Sequence, residues 1–179
     1  MVTMRMVVMV TMRMVSDGQL LQLNRGLYCL PERVVTERSN LAEVAIKYPN
    51  SVFCLLTALQ IHELTTQTPH QLWLAIELKA RAPQMDYPPL KVVRFSDVAL
   101  KAGVDSIVID SVIHVDVTCI EKTIVDCFKY RNKIGLDIAI EALQEAWRSK
   151  RMSMDRIWEF AKICRVTNVM RPYLESLNG

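Results

Sequence analysis

The hydrophobic period changes partway along the chain, and that change limits the fold more than any other feature. Residues 71–78, 90–95 and 107–117 are dense in β-branched and aromatic side chains, the composition of strands in a half-buried sheet. From residue 118 onward the apolar positions recur at helical spacing instead. Ile120, Ile124, Val125 and Phe128 fall on one stripe, and Leu136, Ile138, Ala139, Ala142, Leu143 and Trp147 on the next. Two further helices are expected over 154–164 and 169–177. A block of strands followed by a block of helices predicts an α+β fold, a mixed sheet of three or four strands packed with helices. At 179 residues and 51% apolar, the chain can bury one sizeable core.

Punctuation residues set the joints. Pro83, Pro88 and Pro89 make 82–89 a loop, because proline cannot donate to a strand ladder. Thr118-x-x-Glu121 predicts a capping box at the start of the first C-terminal helix, and Gly135 its end. Ahead of the sheet, Ser39-Asn40 and Pro49 bracket one helical pattern, and Ser51 opens a second that runs to about His62. Nearer the N-terminus, the short apolar runs 19–23 and 27–30 flank Asn24-Arg25-Gly26 and predict a β-hairpin, with Gly26 supplying a positive φ and Pro31 stopping the second strand. The first 15 residues hold the string MVTMRMV twice and six of the ten methionines. Such self-similar, flexible sequence predicts an irregular or artificial start, with a short helix or an edge strand as the alternative.

Several function classes are disfavoured. A net charge of +3 is compatible with a nucleic-acid partner but does not argue for one unaided. Cys29, Cys54, Cys119, Cys127 and Cys164 stand singly in apolar runs, without metal-ligand spacing, and read as core residues of a cytoplasmic protein. No apolar run approaches the roughly 18 to 20 residues that span a bilayer. Glu77-x-Lys79 matches half of a nuclease metal site, yet no aspartate lies between Asp17 and that strand. His62-Glu63 lacks the second histidine of a zinc-protease helix, and no glycine-rich phosphate loop is present. The expected protein is therefore not an enzyme, and carries neither metal nor cofactor.

The string Arg25-Gly26-Leu27-Tyr28-Cys29-Leu30-Pro31 resembles the wing that closes the winged helix-turn-helix of AbiEi-type antitoxins. The run 117–147, VTCIEKTIVDCFKYRNKIGLDIAIEALQEAW, resembles the signature of the AbiEi C-terminal domain, above all in Glu121-Lys122-Thr123 followed by Asp126-Cys127-Phe128. The likeness covers roughly residues 19–179. It implies three segments: a repeat-like start over 1–18, the hairpin wing of a partial winged helix with its linker over 19–38, and an antitoxin domain over 39–179. It also implies the antitoxin of an abortive-infection, type IV toxin–antitoxin pair. Such a protein counters a nucleotidyltransferase-like toxin without a stable complex and represses its own promoter by binding inverted repeats. The family places helices ahead of the wing, including a recognition helix for the major groove; here 12–18 is the stretch that corresponds to the tail of that helix. A stand-alone winged-helix regulator and a nuclease-like enzyme are the alternatives.

Candidate site residues follow from both readings. Arg13, Gln19, Asn24 and Arg25 are the DNA-contact candidates, since a wing tip brings polar and guanidinium groups against phosphate; the plainer reading is an exposed turn. Lys122 and Asp126, spaced i, i+4, together with Lys129 and Arg131, are candidates for the antitoxin surface, against a reading as a solvated helix pair and basic residues at a helix end. Glu121 belongs to the same stretch, with its capping role as the simpler explanation. Lys133 continues this basic run, and Arg148, Lys150 and Arg151 form a second one, each a possible nucleic-acid face or an ordinary solvated helix terminus.

Overall fold

The computed structural model describes residues 12–24, 27–29, 37–109 and 113–178. The chain divides into two compact units, Met1–Glu43 and Val44–Gly179.

In the first unit, residues 12–16 form a short helix, α1. Gly18 ends it at φ +71, a conformation that costs other residues a Cβ clash, and the amides of Gly18 and Gln19 return to the carbonyls of Val15 and Met14 at 3.1 and 2.8 Å. The expected hairpin follows. β1 (Leu21–Asn24) pairs antiparallel with β2 (Leu27–Cys29), with an irregularity in register between Gln22 and Asn24. Arg25 and Gly26, between the two strands in sequence, lie outside the described residues, as do the first copy of the repeat and Pro31. α2 (Glu37–Lys47) starts two residues ahead of the expected cap at Ser39, and the unit boundary falls within it.

The second unit is α+β. Its sheet has five strands in the order β5-β4-β3-β7-β6: β3 (Val52–Phe53), β4 (Leu72–Glu77), β5 (Leu90–Phe95), β6 (Val104–Ile109) and β7 (Ile113–Thr118). The β4–β5 and β3–β7 pairs are parallel, and the β3–β4 and β6–β7 pairs antiparallel, so the sheet is mixed. Two sequence expectations are corrected here. The run 107–117 is not one strand but parts of β6 and β7, which fold back on each other; and the helix expected from Ser51 begins only at Leu55, because Val52 and Phe53 form the central strand. One strand count therefore rises to five.

Helices α3 (Leu55–Ile61), α4 (Asp97–Lys101), α5 (Ile120–Lys129), α6 (Arg131–Ile134), α7 (Leu136–Arg148), α8 (Met154–Cys164) and α9 (Thr167–Glu175) complete the unit. The main core joins one face of the sheet (Val52, Trp73, Ala75, Val93, Phe95) to α3, α5, α7, α8 and α9 through residues such as Leu59, Ile124, Phe128, Leu143, Ile157 and Met170. Each large apolar side chain fully buried there is worth roughly 1.5–3 kcal/mol before its entropy cost. α5 is the hub: it touches α3, α7, α8 and α9, and Glu121 through Phe128 are all buried. Gly103, between α4 and β6, lets this hub approach. Its φ is +63, and a Cβ there would sit 2.8 Å from Lys122 Cβ and 2.8 Å from Phe160 Cζ. No described helix is long and apolar enough to cross a membrane.

Candidate functional site

β7 runs directly into α5, so the residues of 117–128 are placed by a strand end and a helix start that share the core. Thr118 is held in the ladder opposite Val104, and Cys119, not Thr118, is the residue preceding the helix. That shift of one position removes the expected capping box, and Cys119 makes no side-chain capping bond at the start of α5. Thr118 and Thr123 hydroxyls instead pair at 2.7 Å, while the Thr123 hydroxyl donates to the Thr118 carbonyl at 2.9 Å. The bond fastens the first turn of α5 to the strand before it. Glu121 turns the other way, accepting the Ser153 amide at 3.0 Å and facing Arg156 at 3.4 Å, and so ties α5 to the start of α8.

Lys122 and Asp126 do not form a surface. Their side chains are 0% and 1% exposed and are bonded to each other. The expectation of an antitoxin surface at these two positions is therefore corrected: α5 is covered on every side, so an i, i+4 pair that would be solvated on a peripheral helix points into the core. The Lys122 amine lies 4.5 Å from the centre of the Phe95 ring, an arrangement that favours the cation where water is absent. The second Asp126 oxygen receives the Cys164 thiol at 3.5 Å. Burial pushes the Asp126 carboxyl above its usual range, opposed by the charge and hydrogen bond of Lys122. The same desolvation, reinforced by Asp126, pushes the Cys54 and Cys127 thiols well up and Cys164 to about 11. These thiols stay protonated and pack in the core.

Lys129 and Arg131, the other two antitoxin-surface candidates, lie half-exposed where α5 gives way to α6. Arg131 donates to the Phe128 carbonyl at 3.0 Å and so satisfies an orphan acceptor at the end of α5. Lys133 is exposed, 5.5 Å from the centre of the Tyr130 ring, which itself stacks on Phe95 at 5.5 Å. The three cations thus cluster in sequence around one aromatic anchor on the α5–α6 corner. The second basic run is more committed: Arg148 pairs with Glu145 at 2.7 Å, and Arg151 donates to the His62 carbonyl at 2.7 Å.

In the first unit, Arg13 and Gln19 are exposed, on α1 and immediately after it. Asn24 is the last residue of β1, and Arg25 lies outside the described residues. Glu77 ends β4 with its side chain exposed, and both it and Asp116 of β7 line a cleft in the second unit. Asp116 has no local signal near Glu77 in the sequence, because it comes from a strand 39 positions later and its place depends on the sheet order. Among the described residues no group of three or more His, Cys, Asp or Glu could hold a metal ion. The Glu121–Arg156 link and the role of Gly103 had no sequence signal, since both are made by elements distant along the chain. The sequence matches no protein-family model and none of the curated proteins.

Proposed function

We propose that this chain is an antitoxin of the AbiEi kind. In this reading the domain over 39–179 counters a nucleotidyltransferase-like toxin in the cytoplasm without a stable complex and without catalysis, and the helix and hairpin of the first unit contribute to repression of its own promoter at inverted repeats. One observation carries it. Glu121, Lys122, Thr123, Asp126, Cys127 and Phe128, the residues that resemble the family signature, are all buried in the hub helix. A run that specifies a shared core behaves in this way, since each of its polar members is satisfied inside the fold. The order α1, then hairpin, is also the order in which a winged helix presents its recognition helix and wing.

If the signature residues build the scaffold, the acting surface lies elsewhere, and the α5–α6 corner with Lys129, Arg131 and Lys133 is its best placed part. Co-expression of the chain with the reading frame beside its gene tests the proposal: restored growth is expected, and a toxic neighbour that is never rescued contradicts it. The repressor part is tested by mobility shift on the upstream DNA. Binding that weakens steeply with salt is expected, and absence of binding even at low salt removes autorepression from the reading. Promoter binding without rescue would favour the stand-alone regulator.

A further inference from the structure

A cleft in the second unit plays no part in the antitoxin reading. It opens where β3, only two residues long, leaves the ends of β4 and β7 without a strand between them. Its volume is about 700 Å3, within the range of small-molecule sites. The walls are aliphatic, formed by Val52, Ile76, Leu100 and Val104. The charges are of both signs. Asp116 is half-buried and, among the described residues, has no hydrogen-bond or ion-pair partner. Lys47 and Arg81 are exposed lining residues, likewise without a carboxylate partner among the described residues, and the exposed Glu77 at the end of β4 also lines the cleft. Lys101 is already held by Asp97 at 2.8 Å. Tyr48 also lines the cleft, and its hydroxyl donates to the Gln84 carbonyl and accepts the Gln84 amide at 3.0 Å, pinning the segment that carries Arg81.

A half-buried carboxylate among aliphatic walls gains most from a cationic donor that brings its own partner charge. Val52, Ile76, Leu100 and Val104 offer a methylene stem aliphatic contact, and the one aromatic lining residue, Tyr48, is engaged with Gln84 through its hydroxyl. The two exposed cations call for a carboxylate, and they repel a second positive end such as that of a polyamine. Glu77 can take an ammonium next to that carboxylate. We propose that this cleft binds a free basic amino acid, arginine or lysine, with its side-chain cation on Asp116 and its α-carboxylate between Lys47 and Arg81.

Calorimetric titration of the full chain with L-arginine, L-lysine, the neutral analogues L-citrulline and L-norleucine, and agmatine, which lacks the carboxylate, tests the assignment. Saturable binding of arginine or lysine is expected, weakened at least about tenfold, or 1.4 kcal/mol, for the neutral analogue and for agmatine. Asp116→Asn should abolish it with the circular dichroism unchanged. Arg81→Glu, at an exposed loop position, gives the same loss by a route that does not touch the sheet. The proposal is overturned if neither amino acid gives saturable heat, if citrulline or agmatine binds as well as arginine or norleucine as well as lysine, or if either variant binds as the parent does.

Discussion

Replacing Lys122 by methionine deletes one charge from the middle of the core while keeping nearly the same stem. The lost amine is bonded to Asp126 and sits 4.5 Å from the Phe95 ring centre, and neither member of the pair is more than 1% exposed. Asp126 is left with the Cys164 thiol, a weak donor at 3.5 Å. Breaking a buried pair from one side costs about 3–5 kcal/mol, whereas the same spacing on an exposed helix is worth about 0.2–0.5 kcal/mol. Protonation limits the damage: holding a carboxyl neutral at pH 7, against an ordinary value of about 3.9, costs about 4 kcal/mol, which falls in the same range. That route has a pH signature. The Asp126 carboxyl is already raised in the fold, and without Lys122 it is raised further, so the folded state holds a proton that the unfolded chain has lost. The deficit of Lys122→Met should therefore shrink as pH falls from 7, by at most about 1.4 kcal/mol per unit, and level off where the raised Asp126 of the parent protein takes up its own proton. Urea unfolding at several pH values measures it. Lys122→Met combined with Asp126→Leu removes both charges and should recover most of the loss, giving a coupling of about 3 kcal/mol or more. A cost below about 1 kcal/mol for Lys122→Met at pH 7, or a deficit that does not change with pH, would refute the reasoning.

Gly103→Ala should lose about 2–5 kcal/mol in the same unfolding assay, combining a left-handed backbone with a Cβ that meets Lys122 and Phe160 at 2.8 Å; an unchanged midpoint would show that the turn can relax. Arg165, at φ 59 after α8, occupies a position suited to glycine, and Arg165→Gly should raise stability by about 0.5–1 kcal/mol in thermal melts. His62 accepts burial by staying neutral, with its pKa lowered by desolvation and its Nε2 2.7 Å from the Thr118 carbonyl. Its contribution is complete above the unfolded value of about 6.5 and is lost as pH falls below it toward the folded value, so His62→Gln should flatten the stability profile in that window.

What could be read in advance depended on the range of the signal. β5 matches its expected bounds because Pro88 and Pro89 stop the chain on one side and Ser96 on the other. The C-terminal helices are set by apolar spacing that each carries within itself. β3 was illegible, since two residues have no period, and its place in the middle of the sheet is decided by β4 and β7. The burial of Lys122 and Asp126 was hidden for a related reason: one amphipathic stripe on α5 was visible, but the other sides are covered by α3, α7, α8 and α9, which no window of the sequence contains. The capping box failed by a single position, because the β7 ladder holds Thr118 and hands the cap to Cys119.

The central claim is most directly tested by growth of cells that express the neighbouring reading frame together with this chain or with its Lys129→Glu, Arg131→Glu variant, the chain tagged so that its level is followed. The account predicts rescue by the parent chain, loss of rescue by the variant at equal level, since both positions are half-exposed and outside the core, and no toxin recovered with the tag. A toxic neighbour that the parent chain does not relieve would contradict it.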